Sequence, residues 1–103
     1  MSKVVVIKTE PETILDDYAK LLDLCDYRQQ LGSQTDLLVK INLSWSKFFP
    51  ASSSPPWQVE GVLKKLLSDG YRREQIIPIE NRTVCTDLPT GIKIGRASCR
   101  ERV

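Results

Sequence analysis

One feature constrains the fold of this 103-residue chain most: three short apolar runs alternate with two stretches of helical periodicity. The runs are Val4, Val5, Val6, Ile7, then Leu37, Leu38, Val39, Lys40, Ile41, Asn42, Leu43, then Ile76, Ile77, Pro78, Ile79, Glu80. Only Lys40, Asn42, Pro78 and Glu80 interrupt them, and nearly continuous apolar runs suit strands covered on both faces of a parallel sheet. Between the first two runs, Ile14, Tyr18, Leu21, Leu22 and Cys25 recur at helical spacing. Between the last two, Val59, Val62, Leu63, Leu66 and Leu67 do the same. Each set is one apolar stripe on an amphipathic helix. The order β-α-β-α-β predicts an α/β fold of the three-layer type with a small parallel sheet.

Local signals set the expected boundaries. Thr9 and Glu12 have capping-box spacing, and Pro11 suits a first helical turn, so a helix is expected over about 11–25. Ser54 before Pro55 and Pro56 reads as an N-cap for the second helix. Gly70 reads as its left-handed C-terminal stop. Pro78 cannot donate to a ladder, which favours an edge for the third strand.

The last ten residues are set apart. The string Ile94, Gly95, Arg96, Ala97, Ser98, Cys99, Arg100, Glu101, Arg102, Val103 can be back-translated as ATC GGA AGA GCG TCG TGT AGG GAA AGA GTG. That resembles a widely used short-read sequencing adapter read in one frame, and Lys93 fits the codon that leads into it. Such a segment is excluded from fold reasoning. The expected organisation is residues 1–92 as the N-terminal, incomplete part of a single α/β domain, and 93–103 as a tail foreign to it. Without 94–103, Lys plus Arg falls from 15 to 12 and Asp plus Glu from 13 to 12, taking the net charge from +2 to zero. The basic balance that would argue for nucleic acid or membrane binding goes with the tail.

Composition narrows the chemistry. The chain has no histidine, which excludes Ser-His-Asp and Cys-His catalysis within it. Cys25, Cys85 and Cys99 form no CxxC pair, so no zinc finger or ferredoxin-type cluster is encoded, and neither a metal nor a cofactor is expected. Isolated cytosolic thiols such as Cys25 and Cys85 are usually small buried hydrophobes. The apolar run after Met1, Ser2 and Lys3 is only four residues, shorter than a signal peptide needs, and no run approaches a transmembrane span. A cytoplasmic location is therefore expected, with no membrane and no nucleic acid as partner.

Four segments carry a family resemblance: Val39-Lys40-Ile41-Asn42-Leu43-Ser44-Trp45, Phe49-Pro50-Ala51, Pro55-Pro56-Trp57-Gln58 and Glu80-Asn81-Arg82-Thr83-Val84. In their order and spacing the chain resembles bacterial proteins of domain-of-unknown-function family 362 over about residues 3–92. The resemblance implies an N-terminal portion of a longer protein whose biochemical role is largely undefined. Many relatives carry ferredoxin-like cysteine motifs, which implies iron–sulfur redox chemistry for them; the cysteines here do not supply it.

The candidate site lies where α/β proteins bind ligands, beyond the carboxyl ends of the strands. Lys40 and Asn42 are two apart on one expected strand and share a face. Glu80 and Asn81 hold the matching position on the next strand. Lys40, Asn42, Ser44, Glu80 and Asn81 form a candidate site for a small anionic or polar molecule. The alternative is that Lys40 simply pairs with Glu80 and ties the strands together. Trp45, Phe48, Phe49 and Trp57 read as an aromatic lid over the core, and Lys64-Lys65 and Arg72-Arg73 as solvated basic pairs. Three readings of the whole follow: a ligand-binding module, part of a redox enzyme completed by a further region, or an interaction module without catalysis.

Overall fold

The computed structural model describes residues 2–43 and 53–80. The tail 93–103, Ser44, Asn81, and the aromatic residues Trp45, Phe48 and Phe49 lie outside the described residues. The elements are helix α1 (Ile14–Leu24), the one-turn helix α2 (Tyr27–Gln30), strand β1 (Leu37–Lys40), helix α3 (Pro56–Ser68), a short 3-10 turn (Arg73–Gln75) and strand β2 (Ile76–Ile79). β1 and β2 pair in parallel with Leu37 opposite Ile76 and Lys40 opposite Ile79. The expected α/β class and small parallel sheet are therefore present. Ile41 N–H extends the ladder by donating to the Ile79 carbonyl at 3.1 Å.

The parallel register sorts the strand residues onto two faces. Leu37, Val39 and Ile76 turn inward and join Tyr27, Leu66 and Tyr71 in the core, with Leu22 and Val62 packed against them. Leu38 and Ile77 turn outward and are 65% and 38% exposed. This is the period-two alternation of a sheet covered on one side. The continuous apolar runs implied cover on both sides; among the described residues only the helical side is covered.

α1 and α3 run side by side in the same direction. Tyr18 meets Gly61 and Asp23 meets Lys65, so contacts advance together along both helices. A methyl added at Gly61 would lie 2.9 Å from Tyr18 Cβ, so the helices approach closely there. α3 ends as expected at Gly70, whose φ is +97°. Gly70 N–H donates to the Leu67 carbonyl and Tyr71 N–H to the Leu66 carbonyl, the paired bonds of a Schellman cap, with Leu66 and Tyr71 meeting in the core.

Three expectations are corrected. Residues 4–7 form no strand. Val5 and Ile7 are half-buried beside Tyr18 and Leu21 of α1, while Val4 and Val6 are 85% and 87% exposed. The alternation is that of a strand, but the segment lies along side chains of a helix rather than along a backbone. Lys3 pairs with Asp26 at 2.7 Å beyond the far end of α1, so the segment runs opposite to α1. Next, α1 starts at Ile14 rather than near Pro11, and Thr9 and Glu12 form no capping box. Thr13 hydroxyl and Glu10 N–H instead donate to the Asp17 carboxylate at 2.8 and 3.4 Å. Finally, Ser54 does not cap α3. The N-cap is Pro55, and Ser54 is drawn to Asn42: its N–H donates to the Asn42 carbonyl at 2.7 Å, and its hydroxyl accepts from Asn42 N–H at 2.8 Å.

Candidate functional site

Lys40 is the last residue of β1, and Glu80 follows the last residue of β2. Parallel pairing brings the two side by side, as the sequence anticipated. Lys40 Nζ lies 2.5 Å from Glu80 Oε1 and donates to the Ile41 carbonyl at 2.8 Å. The second Glu80 oxygen accepts from Leu43 N–H at 2.8 Å. The pair is unequal in burial: the Glu80 side chain is 10% exposed, that of Lys40 55%. Glu80 is thus the anchored partner, and Lys40 presents its ammonium at the carboxyl end of the sheet.

Asn42 lies beyond β1, which ends three residues before the expected Leu43, and its side chain is on the exposed surface. Its backbone is fixed by the two hydrogen bonds to Ser54, and with the Leu43 bond to Glu80 these tie the strand end, the start of α3 and Glu80 together. Of the five candidates, Lys40, Asn42 and Glu80 are placed at one end of the sheet; Ser44 and Asn81 fall outside the described residues. Chemically, this end of the molecule offers one oriented ammonium beside the exposed Asn42.

A second constellation had no signal in the sequence. The buried Tyr27 hydroxyl donates to Asp69 Oδ2 at 2.5 Å, Lys65 Nζ lies 3.1 Å from the same oxygen, and Asp23 Oδ1 lies 2.8 Å from Lys65 Nζ. Lys65 was expected on a solvated face, yet its side chain is 12% exposed, because Asp23 from α1 and Asp69 from the end of α3 enclose it. The Tyr27 hydrogen bond holds the Asp69 carboxyl below its ordinary range. Burial, then the bond to Asp69, pushes the Tyr27 hydroxyl well above its own. The Asp23 hydrogen bond, with those to Asp69, raises Lys65. Each group answers another, so the cluster fastens α1 and α2 to α3.

Gln75 was also missed. It is 2% exposed; its amide donates to the Ser33 and Thr35 carbonyls at 2.9 and 3.1 Å, and its carbonyl accepts from Arg72 N–H at 2.9 Å. It fastens the loop before β1 to the turn before β2. Cys25, expected to be buried, is exposed, because it caps the end of α1. Among the described residues no helix is long and apolar enough to cross a membrane. No family model, no curated protein and no solved structure matches the chain.

Proposed function

We propose that this chain is a ligand-binding portion of a protein of the family 362 type, holding a small anionic group at the carboxyl end of its parallel strands. Lys40 supplies the charge, Glu80 orients it, and Asn42, Ser44 and Asn81 supply polar contacts. The observation that carries this reading is the unequal pair. An ammonium fully enclosed beside Glu80 would have no side left for a ligand, whereas Lys40 is anchored at one side and open at the other. Two of its three donors are engaged by Glu80 and the Ile41 carbonyl, which leaves one for a ligand oxygen. The site also lies where ligands bind in open α/β sheets. On this reading residues 1–92 are one part of a larger three-layer α/β unit located in the cytoplasm, and the iron–sulfur chemistry of relatives lies outside these residues.

The test is titration of the isotope-labelled chain with inorganic phosphate, followed through the Lys40, Ile41 and Leu43 amides. Saturable shifts that weaken at least tenfold in Lys40→Met support the reading. Shifts of equal affinity in the variant, or none, overturn it. A second reading, an interaction module, is favoured by the open apolar face of Leu38, Ile77 and Ile79.

A further inference from the structure

The parallel arrangement of α1 and α3 places their first turns together, and a cleft of about 570 Å³ opens between them. Its apolar wall is Pro11, Ile14, Leu15 and Trp57, and among the described residues its charged members are Glu10 and Glu60. No lysine or arginine among the described residues lines it. We infer that this cleft binds a small organic cation, an alkyl- or arylammonium, with the charge between Glu10 and Glu60 and the apolar body against Trp57.

The volume is within the range that takes a small organic molecule. The charge argument starts from the helix ends, which ordinarily attract anions. Here that attraction is weakened at both helices. Asp16 and Asp17 already place two carboxylates in the first turn of α1. α3 opens with Pro55 and Pro56, which have no N–H to offer. What remains facing the cleft is negative charge beside an indole, the side chain whose face attracts cations best. An anion would meet two carboxylates there, and a neutral apolar molecule would leave both without gain.

The carboxylates are available. Glu10 pairs with Lys8 at 3.9 Å, and Glu60 with Lys64 one turn along α3 at 2.8 Å. All four side chains are more than half exposed, and exposed pairs of this kind hold weakly. A ligand cation seated against the indole replaces the surface lysines at small cost.

The experiment uses the full chain and ligand-observed NMR with two probes of similar size, benzyltrimethylammonium and 3-phenylpropionate. The cation is expected to bind saturably and the anion not at all at the same concentrations. The double variant Glu10→Gln, Glu60→Gln, which alters only exposed side chains, is expected to weaken the cation about tenfold. Trp57→Leu is expected to weaken it further, with circular dichroism confirming the helices. Lys40→Met is expected to leave it unchanged, which separates this cleft from the site at the strand ends. Equal binding of both probes, no binding of the cation, an unchanged affinity in the double glutamine variant, or a loss in Lys40→Met would each overturn the inference.

Discussion

Gly61 of α3 sits so close to Tyr18 of α1 that a single added methyl would stand 2.9 Å from the Tyr18 Cβ and 3.1 Å from its ring. Glycine in a helix interior costs about 1 kcal/mol relative to alanine, so the position gives up local stability for close approach of two helices. The contact is with Cβ, next to the backbone, and rotation of the tyrosine side chain cannot relieve it. Gly61→Ala is therefore expected to lower stability by about 1–3 kcal/mol despite its better helix propensity. A urea midpoint equal to or above that of the parent chain would show that the helices separate freely.

The pair at the strand ends makes an asymmetric prediction. Glu80→Leu removes the partner of both Lys40 and the Leu43 amide, and is expected to cost about 1–3 kcal/mol. Lys40→Met leaves the Leu43 bond in place and removes an ammonium already open to water, at about 0–1 kcal/mol. A fully buried pair would show the reverse pattern, with either single change costly and the double change nearly neutral. Denaturation of both single variants and the double variant separates the two cases.

The Tyr27–Asp69–Lys65 cluster sets a stability window in pH. Asp69 is depressed in the folded chain, so its contribution is complete above the ordinary carboxyl range and is lost as pH falls through its folded value. Tyr27 is raised, so its contribution is complete below the ordinary tyrosine value and is lost as pH climbs above it; Lys65, also raised, acts in the same direction. Melting temperature is expected to fall at both acid and alkaline extremes. Tyr27→Phe should shrink both slopes, since it removes one titration and the principal cause of the other. Parallel pH profiles for the two proteins would contradict the assignment.

The open sheet face predicts self-association. Leu38, Ile77 and Ile79 are 65%, 38% and 37% exposed on neighbouring strands, and an uncovered apolar face recruits other surfaces. Leu38→Lys is expected to reduce light scattering at a given concentration while moving the melting midpoint by less than about 0.5 kcal/mol equivalent. No change in scattering would mean that this face is covered in solution.

Consecutive residues were enough to mark α3 and the two paired strands, although the local signals at residues 4–7, Thr9 and Ser54 did not hold. The stripe from Val59 to Leu67 and the stop at Gly70 are properties of consecutive residues, and α3 follows them. The runs at Leu37 and Ile76 likewise became a parallel pair, because an intervening helix leaves the chain no shorter way back. Adjacency of Lys40 and Glu80 follows from that topology alone.

Tertiary structure decided everything that depends on a distant partner. Residues 4–7 have strand composition, but a strand exists only where another backbone accepts its bonds, and here the neighbour is a helix. Lys65, like Lys64, has an acidic residue four positions away; it is enclosed because Asp23 arrives from α1 to join Asp69. Gln75 reads as a surface residue until the loop before β1 brings two carbonyls to its amide. The cleft of Trp57 with Glu10 and Glu60 likewise arises only when two helices lie side by side in the same direction. Periodicity is written in neighbouring residues, whereas burial and polar pairing belong to residues tens of positions apart, and only the packed chain brings those together.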